Sequence, residues 1–363
     1  MNIYVYKIEG IKPTECVGIL DNYASFNFTK SFKGCGSWTI KGNFTQEIER
    51  MLKVGYLIYV NDKVCGIIHS IDFDTDEEGN TTYTAYGNEL KGILGYRIVW
   101  DTYSRTVNLR DYINDLVEKN TTGNRALFSR IDKPAIGTPT IDKQISYANL
   151  LEALEDILEA ANSTSNLPLG FDVVCENASD FVFTLLEGAD RTLTSNEPLL
   201  ISRDLNNVAN MTYTQSIKDL VNVVKAGGEG EGANRILTTV GSTQLSGLAR
   251  REAFADCRDL QSTYTDENGN EQTISSKDYL ALLQEEAKQS LTSETLTVDA
   301  ETVVTVEQAL EVLGSKITLR DKAFDVETED YIAEVNIIDE NDGMLVTLTI
   351  GEGLQAKRFI VAA

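Results

Sequence analysis

Hydrophobic and polar residues alternate through most of the first hundred residues, as they do in strands with one buried face. The alternation is clearest in IYVYKI, SWTI, GIIHSIDF and TTYTAYG. Asn61-Asp62 marks a tight hairpin, and the acidic stretch from Asp74 to Asn80 marks a longer loop. Many short antiparallel strands at this spacing predict a small β-barrel or sandwich over residues 1–100.

Residues 101–198 change to a helical period in two places. The first predicted helix has Asn108 as its N-cap and an apolar face formed by Leu109, Tyr112, Ile113, Leu116 and Val117. The second has Ser146 as its cap and an apolar stripe formed by Leu150, Leu151, Leu154, Ile157, Leu158 and Ala161. The strand-like segments FDVVCE and FVFTLLEG follow. We therefore expect an α/β domain inserted after the first barrel.

The rest of the chain is predicted as three further regions. Residues 199–261 form a returning β-region with a glycine-rich turn, and residues 262–291 form a polar linker and a helix whose inner side carries Tyr279, Leu280, Leu283 and Ala287. Residues 292–363 form a C-terminal β-domain that begins with a short helix, in which Thr305 and Gln308 make a capping box. The predicted fold is α+β and predominantly β, with small β-barrel domains at both ends.

The segment VNVVKAGGEGEGANRILTTVG, residues 221–241, joins two β-branched runs through the glycines Gly227, Gly228, Gly230 and Gly232. Gly228, Gly230 and Ala233 match a dinucleotide-binding fingerprint. That site needs a helix N-terminus after the last small residue, whereas the sequence from Ile236 onward predicts a strand. The two glutamates of the turn would also repel phosphates. The segment therefore predicts a structural turn, or a place where another chain lies close.

A cluster of mixed charges follows the turn, comprising Arg250, Arg251, Asp256, Arg258 and Asp259. Arginine and carboxylate side chains form paired hydrogen bonds that specify geometry. These arginines could pair with carboxylates of a neighbouring subunit or form salt bridges within one chain. The pattern leaves both alternatives open.

The chain has 363 residues and a net charge of -24, with 32 basic and 56 acidic residues. This balance argues against a protein that reads nucleic acid, which needs basic residues on its binding face. Residues 1–100 hold 10 basic and 12 acidic groups, net -2, so the remaining 22 and 44 give net -22. A nearly neutral first region could be a docking surface, although the acidity could equally serve solubility. Without a signal peptide or membrane span, we expect synthesis in a cytoplasm.

Candidate catalytic and metal-binding residues are few. His69 is the single histidine, and we predict it as a partly buried strand residue rather than a catalytic base. The acids between Asp72 and Glu78 do not fit an EF-hand, so we predict a charged hairpin tip. Five dispersed cysteines fit reduced, mostly buried thiols better than disulfides or zinc ligands. We expect no catalytic residue, cofactor or metal.

GGEGEGANR, followed by a strand and then GLARREAFADCRDL, resembles the signature of the siphovirus and prophage tail-hub family. The resemblance extends more loosely to IYVYKI, GIIHSIDFD and YGNELKGILGYRIVW, and so covers most of residues 1–260. Its structural or interface motif in this sequence comprises Gly227, Gly228, Gly230, Gly232, Asn234, Arg235, Arg250 and Arg251.

The resemblance implies a structural, non-enzymatic protein of the virion tail. Hubs of this family are homotrimers in which two similar barrels per chain make a pseudo-six-fold ring. Such a ring joins a hexameric tail tube or distal tail ring to a three-fold tip with its spike or fibre, and DNA passes through its channel without specific binding. The alternatives are a receptor- or carbohydrate-binding baseplate module and a cell-wall hydrolase, although we expect no C-terminal lysin domain here.

Overall fold

The computed structural model describes residues 1–162, 167–258, 260–265, 271–292, 295–302, 304–322, 326–341 and 343–351. The chain forms two compact units: unit 1 holds Met1–Thr212 and Val298–Gly351, and unit 2 holds Tyr213–Thr297. The fold is predominantly β with some helix, as predicted. The five-part division of the chain stays a prediction.

The strands in chain order are β1 Ile3–Glu9, β2 Lys12–Leu20, β3 Ser25–Ser31, β4 Ser37–Asn43, β5 Leu57–Tyr59, β6 Cys65–Thr75, β7 Thr81–Glu89, β8 Tyr103–Asn108, β9 Arg130–Asp132, β10 Thr140–Ile145, β11 Leu169–Glu176, β12 Asp180–Glu187, β13 Asp190–Arg191, β14 Leu200–Ser202, β15 Val208–Ser216, β16 Val223–Gly227, β17 Leu237–Gly241, β18 Glu252–Asp256, β19 Thr263–Thr265, β20 Glu271–Thr273, β21 Thr295–Thr302, β22 Lys316–Asp321, β23 Val326–Glu340 and β24 Gly343–Ile350. The α-helices are α1 Gln46–Met51, α2 Leu109–Asn120, α3 Leu150–Asn162, α4 Ser276–Lys288 and α5 Val306–Val312.

One large sheet dominates unit 1. Its hydrogen-bonded order is β15, β21, β24, β23, β3, β4, β7, β6, β5, β1, β2, and β22 pairs with β13, β14 and β23. Strand β3 pairs antiparallel with β23, from Ser25 opposite Glu340 to Ser31 opposite Glu334. The N-terminal ammonium group also lies 2.6 Å from Asp339 Oδ2. The first and last β-regions of the chain therefore share one continuous sheet.

The alternation seen in the sequence matches the burial of these strands. Phe26, Phe28, Trp38 and Ile40 are buried at every second position of β3 and β4. Two helical segments interrupt the strands predicted throughout residues 1–100. One is α1, where the Thr45 hydroxyl accepts a hydrogen bond from Ile48 N. The other is a 3-10 helix over Leu90–Tyr96, whose first five residues are buried.

The two helices predicted between residues 101 and 198 are present as α2 and α3. Asn108 caps α2 by accepting a hydrogen bond from Asp111 N, and the predicted apolar face is buried. The predicted cap of α3 is wrong. Asn149 Oδ1 accepts from Leu151 N at 3.0 Å, whereas the Ser146 hydroxyl donates to Thr102 Oγ1. Asn149 stands directly before the first helical residue, the position from which a side chain reaches the free N–H groups.

Unit 2 is built on a three-stranded sheet with the order β17, β16, β18. Strand β16 runs antiparallel to β17 and parallel to β18. Helix α4 covers one face, where Tyr279, Leu283 and Ala287 pack around Val224 and Ala226. Leu280, predicted on the inner side, is exposed instead. The predicted linker is partly described as the hairpin β19–β20, and its residues 266–270 lie outside the described residues.

The predicted C-terminal elements lie in unit 1. Helix α5 has the predicted capping box, in which Thr305 Oγ1 accepts from Gln308 N and Gln308 Oε1 accepts from Thr305 N. Strands β23 and β24 form a hairpin, and Gly343 has a φ of 136° at its turn. Residues 352–363 of the predicted C-terminal domain lie outside the described residues.

Candidate functional site

The predicted glycine turn joins β16 to β17 in unit 2. Gly228 N donates to Ile236 O at 2.9 Å, and Ile236 N donates to Glu229 O at 3.0 Å, so these bonds extend the ladder beyond the two strands. Gly230 and Gly232 have φ angles of 98° and 55°, which glycine adopts at little cost. The predicted strand follows from Leu237 onward.

Two glycines of the turn admit close neighbours. A Cβ atom at Gly227 would lie 2.5 Å from Arg235 Nε, and one at Gly228 would lie 2.5 Å from the Tyr279 hydroxyl oxygen. That hydroxyl accepts a hydrogen bond from Glu229 N and donates to Leu260 O. The glycines thus allow the turn to pack closely against side chains of its own unit.

Arg235 donates hydrogen bonds to backbone oxygens at the end of β16. Its Nη2 donates to Gly227 O at 2.7 Å and its Nε donates to Gly228 O at 3.1 Å. The guanidinium group forms an ion pair with Asp256 and lies 5.3 Å from the centre of the Phe254 ring. Arg235, which lies two residues before β17, therefore connects β16 with β18.

The other residues of the motif form hydrogen bonds that stabilise the loops of unit 2. Asn234 N donates to Glu231 O inside the turn. Arg250 Nε lies 2.5 Å from Glu252 Oε1, and Arg250 Nη1 donates to Thr243 O at 2.8 Å. Arg251 O accepts from the backbone N–H of residues 222 and 223, which joins its loop to β16.

Several charges of the predicted mixed-charge cluster form ion pairs within the chain. Arg258 Nη2 lies 2.5 Å from Asp256 Oδ2. Hydrogen bonds from Arg258 and Arg235 lower the pKa of Asp256 to about 2. Arg251 has no carboxylate within 4 Å among the described residues. Asp259 lies outside the described residues.

Other candidate residues have structural partners. His69 lies on β6 and is exposed rather than partly buried, because a bulge between Ile68 and Ser70 displaces it. Its Nε2 is 2.8 Å from the Tyr96 hydroxyl oxygen, and neighbouring groups that displace water from one side of the ring lower its pKa. In the acidic loop, Asp76 Oδ1 accepts from Asn80 N at 2.8 Å. The described residues contain no group of His, Cys, Asp and Glu that could hold a metal.

All five cysteines are free thiols. Cys65, Cys175 and Cys257 are buried and Cys16 is exposed. Burial raises the pKa of Cys175 to about 12, so this thiol stays protonated at neutral pH. Among the described helices, none has the length and apolar character needed to cross a membrane.

Four buried charges in unit 1 form a site that the sequence reasoning missed. Lys30 on β3 lies 2.6 Å from Asp172 Oδ1 on β11 and 3.1 Å from Glu89 Oε2. Lys91 Nζ lies 3.4 Å from Glu89 Oε1 and donates to Ser31 O at 2.5 Å. No side chain of the four is more than 5% exposed.

This buried charge cluster, Lys30, Glu89, Lys91 and Asp172, balances two positive and two negative charges. Glu89 Oε1 also accepts from Gly36 N at 2.7 Å, and Asp172 Oδ1 accepts from Val173 N at 2.8 Å. Burial opposes the charge of Lys30, but Asp172 and Glu89 outweigh it and raise the pKa of Lys30. Because Asp172 lies in the predicted α/β insertion, the cluster ties that region to the large sheet.

Three solved structures share this fold over nearly the whole chain. They are a 43 kDa tail protein of prophage MuSo2 from Shewanella oneidensis (12% identity, TM-score 0.57, 97% of this chain and 98% of that chain), a tail protein from Neisseria meningitidis MC58 (15%, 0.54, 96% and 96%) and prophage tail protein gp18 from Listeria monocytogenes EGD-e (13%, 0.53, 98% and 96%). At these identities the similarity shows the fold alone. No curated protein matches the chain.

A family model gives the identification that the fold alone does not. The model described as Siphovirus ReqiPepy6 Gp37-like protein matches residues 12–352, which is most of the chain. The expectation of a siphovirus or prophage tail protein, located in the virion tail, is thereby confirmed. The chain belongs to the Siphovirus ReqiPepy6 Gp37-like protein family.

Proposed function

We propose that this protein is a structural, non-enzymatic hub at the tip of a phage or prophage tail. In this proposal three copies form a ring with an open central channel. One face of the ring binds the hexameric tail tube or the distal tail ring, and the other binds the spike or fibre components. DNA passes through the channel without specific binding.

The observation that carries this proposal is the pairing of β3 with β23. An adapter between six-fold and three-fold symmetry needs two β-domains in each chain, placed side by side. Seven residue pairs, from Ser25–Glu340 to Ser31–Glu334, join the first and last β-regions into one sheet. Such a sheet supports an arrangement in which each chain supplies two adjacent segments of a ring. The small β-barrels predicted for the two ends are part of this proposal.

The charge distribution supports the channel. Residues 101–363 carry a net charge of -22, whereas residues 1–100 carry -2. An acidic channel wall repels the phosphates of DNA, so the DNA slides through the channel without binding to it. We propose that the nearly neutral first region faces neighbouring proteins of the tail, where low charge reduces repulsion.

The motif residues have a place in this proposal. We propose that Gly227, Gly228 and Arg235 serve the fold of unit 2, since their contacts lie within that unit. Gly230, Gly232, Asn234 and Arg250 shape its loops. Arg251, which has no carboxylate partner among the described residues, is proposed to contact another subunit.

Size-exclusion chromatography with multi-angle light scattering tests the proposal directly. The expected mass is three times that of one chain, and negative-stain micrographs should show rings with a central hole. Mixing with the tail-tube protein of the same phage should give end-on complexes. A protein that stays monomeric at high concentration and forms no ring with the tube protein would refute the hub assignment.

A further inference from the structure

Four large apolar side chains of unit 1 are exposed close together. Tyr96, Ile98, Trp100 and Tyr147 are 52%, 39%, 59% and 70% exposed, respectively. Ile98 and Trp100 are alternate residues of an extended segment whose inward residue, Val99, is fully buried, and Tyr96 ends the 3-10 helix just before this segment. Tyr147 N donates to Val99 O at 2.9 Å, which places Tyr147 beside this segment. We call these four residues the aromatic patch.

The backbone at Tyr147 is strained. Its φ is 57°, a left-handed conformation in which the Cβ atom of an ordinary residue crowds the following carbonyl oxygen. Glycine or asparagine normally occupies such a position, yet here a large ring stands in solvent. Strained residues cluster at binding and active sites, so the backbone at Tyr147 directs attention to its exposed ring.

Two arginines beside the patch form no ion pair with a carboxylate of the described residues. Arg125 lies over the Trp100 ring at 5.1 Å and donates to Asn120 Oδ1 and Ile98 O. Arg97 donates to backbone oxygens of residues 96, 125 and 126. Most other described arginines pair with carboxylates, for example Arg105 with Asp115 and Arg130 with Asp132. Burial, and then repulsion by Arg125, lower the pKa of Arg97. The patch therefore offers two uncompensated positive charges.

These features fit a protein partner better than a sugar. The amide groups around the rings, those of Asn120 and Asn149, are already used within the chain, whereas the guanidinium groups of Arg97 and Arg125 carry the positive charge that attracts a carboxylate. Tryptophan, tyrosine and arginine dominate the energetic centres of protein interfaces. At roughly 200 Å² per ring, the three aromatic residues expose about 350 Å², nearly half of the ~800 Å² that each partner buries in a stable interface.

The same chain carries a segment with exposed negative charges, opposite in sign to the two arginines of the patch. The acidic hairpin, residues 72–80, holds five exposed carboxylates at Asp72, Asp74, Asp76, Glu77 and Glu78. No lysine or arginine of the described residues forms an ion pair with any of them. Phe73, between two of these acids, is 44% exposed. Strand β6 pairs with β5 only through Cys65–Ile67 among the described strands, so its outer edge is open along the hairpin.

We propose that the aromatic patch, with Arg97 and Arg125, is the docking surface for the acidic hairpin of a second copy of this chain. The carboxylates meet the two arginines, and Phe73 packs on the rings. Patch and hairpin are formed by different residues, so the contact can repeat from copy to copy, and it closes into a ring when the rotation between copies permits. This inference rests on the homo-oligomeric hub proposed above and names the interface that builds it.

Sedimentation equilibrium of the full chain, wild type against variants, tests the inference. Trp100→Ala, Arg125→Glu and Tyr147→Gly should each raise the dissociation constant at least roughly 30-fold, the effect of losing one interface hot spot. Tyr147→Gly should at the same time raise the melting temperature of unit 1, because glycine relieves the strain. This variant separates weaker assembly from poorer folding. Arg50→Glu, an exposed charge reversal far along the chain from the patch, should leave assembly unchanged.

A charge swap identifies the partner segment. Asp74→Arg should weaken assembly alone, and combined with Arg125→Glu it should recover at least 10-fold over either single variant. An oligomer that forms normally in all three patch variants would overturn the inference while leaving the hub proposal intact. Equal weakening by Arg50→Glu and Arg125→Glu would also overturn it, since a general charge effect would then suffice. A monomeric wild type would remove both proposals.

Discussion

Replacing Asp172 by asparagine removes one of two negative charges that balance Lys30 and Lys91 inside unit 1. Asp172 Oδ1 is 2.6 Å from Lys30 Nζ, and the side chains are 5% and 3% exposed. After the change, Glu89 alone faces two buried lysines, one at 3.1 Å and one at 3.4 Å. We expect a large loss of stability, because an uncompensated charge stays in a place that water does not reach.

The magnitude follows from distance and burial. At an effective dielectric constant of ~20, two unit charges 2.6 Å apart attract each other by roughly 6 kcal/mol. Structural relaxation, and the hydrogen bonds that asparagine can still form, offset part of this lost attraction. We expect Asp172→Asn to lower the free energy of unfolding of unit 1 by about 3–5 kcal/mol, as for other buried pairs that lose one member.

The matched variants are Lys30→Met and the double variant Lys30→Met/Asp172→Asn. Lys30→Met leaves Asp172 without a cation and should cost a similar amount. The double variant leaves Glu89 with Lys91, a neutral pair, and should lie within about 1 kcal/mol of wild type. Urea unfolding followed by fluorescence of Trp38, which is buried in unit 1, reports the stabilities.

Two outcomes would refute this reasoning. Asp172→Asn could cost less than about 1 kcal/mol, which would mean that the cluster is hydrated or that its charges are weakly coupled. The double variant could be as unstable as the sum of the single variants, which would mean that packing rather than charge balance holds the site.

Three further predictions concern local features. Asn149→Ala should destabilise α3 by about 1–2 kcal/mol in thermal unfolding, whereas Ser146→Ala should change stability by less than about 0.5 kcal/mol; equal effects would contradict the cap assignment. Gly228→Ala should cost about 1–3 kcal/mol because the new methyl group meets a hydroxyl at 2.5 Å, whereas Gly137→Ala, which meets nothing within 4 Å, should be tolerated. The pKa of Asp256 is lowered to about 2, so its ion pairs stabilise the fold fully above its unfolded pKa of ~3.8, and this contribution should disappear as the pH falls through 2. A carboxyl pKa near 3.8, measured by NMR in the folded protein, would contradict these ion pairs.

Features set by neighbours in sequence could be predicted. The cap of α2 by Asn108 and the capping box of Thr305 need residues three positions apart, so the sequence contains all the partners. The alternation in β3 and β4 likewise follows from the strand period alone. At α3 the sequence pattern predicts Ser146 as the cap, but Asn149 holds that position because it stands directly before the first helical residue.

Features set by distant partners could not be predicted. Strand periodicity shows which face of β3 is buried, but it does not show that β23 lies beside β3. Lys30 and Lys91 have the composition of ordinary surface residues. Their burial depends on Asp172, more than 80 residues further along the chain, and on backbone oxygens that the fold brings together. The aromatic patch also arises from two chain segments almost 50 residues apart.

The pairing of β3 with β23 has a consequence for biosynthesis. Ser31 and its partner Glu334 are about 300 residues apart. At a translation rate of ~5–20 residues per second, β3 waits roughly 15–60 s for its partner strand to be synthesised. During that time an open strand edge is exposed on the nascent chain. The large sheet is completed only when nearly all of the chain has left the ribosome, so unfinished chains cannot present the surface of the mature protein.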